Sequence, residues 1–176
     1  MTPETRSKRP STDTESGRTA IRIASTVPTV DGYKGRSVES DAMDDLIQAA
    51  REIQSAAHVP YSDYRVGAAL ETVDGTVISG CNLENVNFSN SLHAEEVAIA
   101  EAVKRGHRDF RRLAVSSDRR DGVTPCGMCR QTLAEFCGDD LVVGCDEGDD
   151  GDGKPIVTTY TLGELLPASM NEEMLE

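Results

Sequence analysis

The chain has 176 residues with 31 acidic and 18 basic side chains, which gives a formal net charge of −13. This length suits one catalytic or binding domain, and the acidic balance argues against a nucleic-acid partner, because phosphate binding needs clustered Lys and Arg. The sequence contains neither an apolar run of membrane-spanning length nor an apolar N-terminal stretch, so we expect a soluble cytoplasmic protein with no membrane contact.

Residues 1–42 are rich in Thr, Ser, Pro and Gly without apolar periodicity, which predicts a disordered N-terminal extension. The folded domain is predicted to comprise residues 43–176. Only four of the 18 basic residues are lysines, and an acidic run follows from Asp146 to Gly153. Because the Debye length falls to about 3 Å in 1 M salt, such an acidic surface favours a salt-adapted, halophilic origin. An ordinary acidic protein is the alternative.

Helix one is predicted from Asp44, where apolar residues recur at helical spacing, and it ends before Pro60. β-Branched residues lie on both sides of Asp74-Gly75, a pair typical of hairpin turns, so two antiparallel strands should follow. The second helix should begin near Ser91 or Leu92 and end at Gly106.

A third strand is predicted over residues 112–118 and a third helix from Thr124 as the N-cap, with Pro125 at the first helical position, to about Cys137. Strands over 141–145 and 155–160 and a short helix capped by Thr161 complete the order α-β-β-α-β-α-β-β-α. This order favours an α/β fold with a mixed sheet and helices on its faces.

Two of the five cysteines, Cys126 and Cys129, are spaced to share one face of a helix and bind one cation. A catalytic zinc needs a third protein ligand, and His93 is the obvious candidate. If His93 occupies the last non-helical position and Glu95 the first helical turn, both side chains can face the same metal. Glu95 is then free to transfer protons.

Each of these features alone has an ordinary explanation. His93 could be a structural histidine, Glu95 a solvated helix residue, and Cys126 with Cys129 a redox dithiol or half of a structural zinc site. The combination of "HAE" at 93–95 with "PCGMC" at 125–129 favours the zinc deaminase signature over these alternatives.

From about residue 43 to residue 170 the sequence resembles the short cytidine deaminases. The matching stretches are "PYSDYRVGAAL", "GCNLEN", "HAEEVAIAEAV", "TPCGMCRQ" and "ELLP". The resemblance implies a catalytic domain with a three-layer α-β-α fold around a mixed five-stranded sheet. It also implies a homotetramer with one zinc ion per subunit and active sites near the subunit interfaces.

The resemblance further implies hydrolysis of the C–N bond of a cyclic amidine, converting cytidine and deoxycytidine to uridine and deoxyuridine plus ammonia in pyrimidine salvage. The implied zinc ligands are His93, Cys126 and Cys129, and the implied catalytic residue is Glu95. Substrate contacts are implied for Asn82 and Glu84 at the ribose, Tyr64 near the nucleoside, and the backbones of Ala94 and Cys126 at the base.

Three positions depart from the family pattern. His93 stands where many short members have Cys, and Glu96 stands where they have an Arg that offsets three thiolates. Because imidazole is neutral, the two departures can compensate each other. Met170 occupies about the position of an aromatic residue that covers the base. A deaminase of another cytosine-containing nucleoside, or a dithiol redox or structural zinc module, are the alternative functions.

Overall fold

The computed structural model describes residues 38–170 and residue 174, with side chains from residue 41 onward. Nine elements follow one another along the chain: α1 (Val38–Ile53), β1 (Val66–Thr72), β2 (Val77–Cys81), α2 (Ala94–Lys104), β3 (Phe110–Ser117), α3 (Gly127–Ala134), β4 (Val142–Asp149), β5 (Pro155–Thr161) and α4 (Leu162–Leu165). The predicted order of helices and strands is confirmed. In this described part of the chain, no helix has the length and apolar character needed to cross a membrane.

The five strands form one sheet in the order β2-β1-β3-β4-β5. β3 and β4 are parallel, whereas the other three neighbouring pairs are antiparallel. Gly75 adopts φ 86° in the tight turn between β1 and β2, a conformation that glycine reaches without steric cost. The predicted hairpin and the predicted mixed sheet are therefore both correct.

Two apolar clusters lie on opposite faces of the sheet. On one face, α1 packs against Ala69 and Ala114, and on the other face α2 and α3 pack against Ala68 and Val115. Neighbouring strand residues thus alternate between the two clusters, as the two-residue period of a strand requires. The structure is a three-layer α-β-α arrangement, as predicted.

A glycine sets the position of α2 on the sheet. A Cβ atom at Gly80 in β2 would overlap the carbonyl oxygen of Ala94 and the amide nitrogen of Ala98. The first two turns of α2 therefore rest directly on the main chain of β2, which only glycine permits. This close approach places the start of α2 near the end of the hairpin.

Several helix ends differ from the sequence prediction. α1 begins at Val38, within the stretch assigned to the extension, and the remaining residues of that predicted extension, 1–37, lie outside the described residues. The N-cap of α3 is Cys126 rather than Thr124, because Cys126 is still extended, with φ −69° and ψ 171°. The Thr124 hydroxyl instead accepts a hydrogen bond from Arg130 Nη2 at 3.1 Å. α3 ends at Ala134, and α2 begins after His93.

The acidic run is not entirely surface. Its first residue, Asp146, lies in β4 with no solvent exposure, and its carboxylate accepts hydrogen bonds from Arg51 Nε and Nη2, both at 2.6 Å. Ser116 Oγ donates a further hydrogen bond at 2.7 Å. Asp146 therefore does not contribute to the acidic surface, because Arg51 of α1 pairs with it in the interior.

Candidate active site

The starts of α2 and α3 bring three potential zinc ligands together. His93 Nδ1 lies 3.1 Å from Cys126 Sγ and 3.2 Å from Cys129 Sγ, and the two sulfur atoms are 3.5 Å apart. Ligands that surround a tetrahedral zinc at 2.0 to 2.3 Å lie about 3.3 to 3.8 Å from one another. The sulfur–sulfur distance lies within this range and the two nitrogen–sulfur distances lie 0.1 to 0.2 Å below it, so one imidazole and two thiols would hold a zinc ion after a small adjustment and leave a fourth position for water.

The surroundings of the thiols favour a bound cation. Burial, together with the negative charge of Glu95, raises the pKa of the Cys129 thiol. A cation between the ligand atoms offsets this effect, since metal binding deprotonates coordinating thiols. Cys126 is the N-cap of α3 and therefore lies at the positive end of the helix dipole.

His93 is held in an extended conformation as the N-cap of α2, with φ −86° and ψ 156°. Its amide nitrogen donates a hydrogen bond to Glu96 Oε2 at 3.1 Å. Glu96 is thus the third residue of the helix and closes back on the N-cap, as in a capping box. The residue that departs from the family pattern orients the main chain of a candidate ligand.

Glu95 lies in the first turn of α2 and is 4% exposed. Burial raises the pKa of its carboxyl group, although the neighbouring His93 acts in the opposite direction. A carboxyl group with a raised pKa is suited to accept and return a proton near neutral pH. The predicted placement, with His93 outside the helix and Glu95 inside its first turn, is confirmed.

A cavity of about 230 Å³ opens beside these groups. It is lined by Tyr64, Val66, Asn82, His93, Ala94, Glu95, Val123, Thr124 and Cys126. Val123 was not foreseen from the sequence, since it belongs to a turn without a recognisable motif. Val66 lies inside a quoted stretch but carries no polar group that would single it out. Glu84 is absent from the cavity lining.

Asn82 and Glu84 both bind neighbouring main chain. The Asn82 amide donates from Nδ2 to the Tyr64 carbonyl and accepts at Oδ1 from the Val66 amide, both at 2.9 Å. Glu84 Oε2 accepts from the amide of Tyr61 at 2.9 Å and from that of Ser62 at 3.2 Å. Glu84 is half-buried, and hydrogen bonds from Ser62 and Tyr61 lower the pKa of its carboxyl group.

Comparison with known proteins identifies the family. A family model described as "Cytidine and deoxycytidylate deaminase zinc-binding region" matches residues 40–145. The chain belongs to this deaminase family. It is 40% identical over 132 residues to a cytidine deaminase of Sporosarcina psychrophila, a match that covers 74% of this chain and 92% of the relative.

The chain is also similar to a solved cytidine deaminase structure and to a blasticidin-S deaminase. A crystal structure of cytidine deaminase from Burkholderia pseudomallei superposes with a TM-score of 0.64 at 36% identity, covering 72% of this deaminase and 97% of that chain. A blasticidin-S deaminase of Bacillus cereus is 33% identical over 112 residues, or 59% of this chain and 75% of the relative. The predicted fold class, the hydrolytic deaminase class and the zinc cofactor are confirmed.

Proposed function

We propose that this deaminase hydrolyses cytidine and deoxycytidine to uridine and deoxyuridine plus ammonia, as an enzyme of pyrimidine salvage. The observation that carries the proposal is the buried Glu95 carboxyl group, which lines the same cavity as His93 and Cys126. A proton carrier beside a metal-ligand triad is what hydrolytic deamination requires, whereas a structural zinc or a dithiol has no use for it.

His93, Cys126 and Cys129 would hold one zinc per subunit. When bound, the metal supplies a water molecule whose pKa it lowers toward about 7. Glu95 would accept a proton from the attacking water and donate it to the ring nitrogen beside C4 of the base. It would then accept the remaining proton from the oxygen added at C4 and donate it to the departing amino group. Oxygen replaces nitrogen at C4, and ammonia leaves.

The cavity lining supports a neutral nucleoside as the substrate. None of its nine residues is Lys or Arg, so the lining of the described cavity offers no lysine or arginine cation to bind a phosphate. Asn82 retains one amide hydrogen and one lone pair for a sugar hydroxyl after its two main-chain bonds. Ala94 and Cys126 would contact the base through their main chain, and Glu84 would accept a hydrogen bond from the ribose.

The Bacillus cereus relative makes another cytosine-containing nucleoside the second candidate substrate. Such an activity would keep the zinc ligands and Glu95 and differ at the sugar contacts. Parallel assays with cytidine, deoxycytidine and blasticidin S compare the candidates directly. A higher kcat/KM for blasticidin S than for either nucleoside would overturn the cytidine assignment but not the reaction type.

The decisive experiment measures cytidine turnover by the ultraviolet change on deamination, in molar KCl, with zinc content determined on the same samples. Glu95→Ala should lower kcat at least about 100-fold while about one zinc per chain remains, because general acid–base groups contribute roughly that much or more. Glu101→Ala is the matched control, since Glu101 lies on the same helix but pairs with Lys104 and Arg105 at the surface. A Glu95→Ala variant with undiminished turnover would contradict the proposal.

We infer a homotetramer with active sites near the subunit interfaces. Between the cavity residues Asn82 and His93 the chain exposes four apolar side chains, Leu83, Val86, Phe88 and Leu92. Exposed apolar clusters of this kind are typical of subunit contacts. Met170, 63% exposed and bound through its main chain to Gln131, would adjoin a neighbouring site. Light scattering on Val86→Asp should show smaller assemblies than the parent protein.

We infer a cytoplasmic enzyme, and the acidity of the chain supports a salt-adapted origin. The net charge of −13 should repel itself in dilute buffer and be screened in concentrated salt. Melting temperatures measured in low and in molar KCl test this directly. A melting temperature that does not rise with KCl would remove the support for salt adaptation.

A further inference from the structure

Two walls of the cavity come from separate parts of the chain. One wall comes from residues immediately before, within and immediately after the hairpin, namely Tyr64, Val66 and Asn82. The other comes from the segment between β3 and α3, which contributes Val123 and Thr124. Any group that joins these walls influences how well the cavity is formed before a ligand arrives.

Asp121 joins them. Tyr64 Oη donates a hydrogen bond to the Asp121 carboxylate, 3.0 Å from Oδ1 and 3.2 Å from Oδ2. The buried Ser117, at the end of β3, donates from Oγ to Oδ1 of the same carboxylate at 2.7 Å. The guanidinium carbon of Arg119 lies 5.0 Å from the centroid of the Tyr64 ring. The tyrosine is thus bound at its hydroxyl and contacted on its ring by residues of one turn.

The turn that carries Asp121 is fixed at both ends. Arg120, at φ 50°, donates its amide to the Ser117 carbonyl at 3.1 Å, and the Gly122 amide donates to the Asp146 carbonyl at 3.0 Å. The Asp118 amide donates to the Arg65 carbonyl at 2.9 Å, beside Tyr64. A carboxylate on a turn held in this way has a defined position relative to the sheet.

We propose that Asp121 is a positioning residue that holds Tyr64 against the bound nucleoside. The inference rests on the proposed function of the cavity as a nucleoside site. A hydrogen-bonded phenol loses its rotational freedom during folding rather than during binding, so the ligand is spared that entropic cost. Phenylalanine at the same position has no hydroxyl for the carboxylate to bind.

The bond contributes equally to substrate and transition state, because the Tyr64 hydroxyl is bound to Asp121 and takes no part in the proton transfer assigned to Glu95. Loss of such uniform binding raises KM and leaves kcat unchanged. Tyr64→Phe removes only the hydroxyl and should raise KM for cytidine about fivefold, the equivalent of one net hydrogen bond. Asp121→Ala should raise KM by a similar factor, and the double variant should be no worse than either single variant.

Asp118→Ala is the matched control, because it removes a carboxylate from the same turn and leaves the Tyr64 hydroxyl bonded. A purely structural Asp121 would lower the melting temperature through Ser117 without changing KM. Equal KM values for the parent and Tyr64→Phe, or additive effects in the double variant, would overturn the proposal. Tyr64→Phe alone decides the matter if Asp121→Ala does not fold.

Direct binding separates this inference from the proposed function. In the zinc-loaded Glu95→Ala background, calorimetry with cytidine measures Kd without turnover, and Tyr64→Phe should again weaken binding about fivefold. If Tyr64→Phe weakens cytidine binding but the parent enzyme shows no turnover, the deaminase assignment is refuted and the Asp121 role is retained. If the parent enzyme turns over cytidine but Tyr64→Phe leaves Kd unchanged, the Asp121 role is refuted and the deaminase assignment is retained. Absence of cytidine binding would overturn both.

Discussion

Replacing Asp146 by Asn tests how much the buried ion pair between α1 and β4 stabilises the fold. The side chain of Asp146 is fully buried and that of Arg51 is 9% exposed. Four donors converge on the carboxylate: two from Arg51, the Ser116 hydroxyl and the Gly148 amide. Asparagine keeps the size of the side chain but places an amide group against one pair of these donors.

The expected loss follows from the partners that remain. Removing one member of a buried ion pair costs about 3 to 5 kcal/mol, because the other charge is left without compensation. Arg51 Nη1 still reaches Asp149 Oδ1 at 2.6 Å, which places the loss near the lower limit, about 3 kcal/mol. For a domain of this size that corresponds to a melting temperature about 10 °C lower.

Thermal and urea unfolding followed by circular dichroism give the measurement, at fixed protein and zinc concentrations because both affect apparent stability. Asp152→Asn is the matched control, since Asp152 belongs to the same acidic run and is exposed. Arg51→Met combined with Asp146→Leu should recover most of the stability, because an apolar pair avoids the desolvation cost. A loss below about 1 kcal/mol for Asp146→Asn would refute the reasoning.

Glu96→Ala should weaken zinc binding about 10- to 100-fold, because the His93 amide loses the carboxylate that orients it. Glu96→Gln keeps an oxygen acceptor and should retain most of the affinity, and competition with a chelator measures both variants. Equal affinities for both variants would exclude this role. Burial acts to raise the pKa of Asp146, but hydrogen bonds from Arg51 and Ser116 outweigh it and lower that pKa. The stabilisation is therefore complete above about pH 4, the unfolded value, and is lost as pH falls through the lower folded value. Urea unfolding at decreasing pH should show the parent approaching Asp146→Asn only below about pH 4.

The element order and the candidate metal ligands can be predicted from the sequence because most of their signals are local. Helical spacing, the Asp74-Gly75 turn and the paired cysteines each occupy a few consecutive residues. A catalytic zinc needs three protein ligands, which predicts His93 as the third, and the fold places its Nδ1 within 3.2 Å of both sulfur atoms. Site chemistry was therefore more predictable than helix boundaries.

The long-range polar contacts were not accessible. Arg51 and Asp146 are 95 positions apart, and Tyr64 and Asp121 are 57 apart, so no spacing rule connects them. The number of charges in the sequence does not distinguish a carboxylate beside a guanidinium from one in water, so it does not reveal that Asp146 is buried. The N-cap of α3 is likewise Cys126 rather than the predicted Thr124, and the Thr124 hydroxyl accepts a hydrogen bond from Arg130, six positions away.

Gly80 makes the position of Glu95 depend on a close main-chain contact between α2 and β2. The depth at which Glu95 enters the cavity depends on how closely α2 approaches β2, and at Gly80 that approach is made by main-chain atoms alone. Main-chain dimensions are the same whatever residues surround them. A core substitution away from α2 can therefore change the stability of the domain and leave this contact intact, whereas a side chain at position 80 would push α2 away from β2 and move Glu95 with it. Position 80 thus links the sheet to the candidate active site through main-chain atoms.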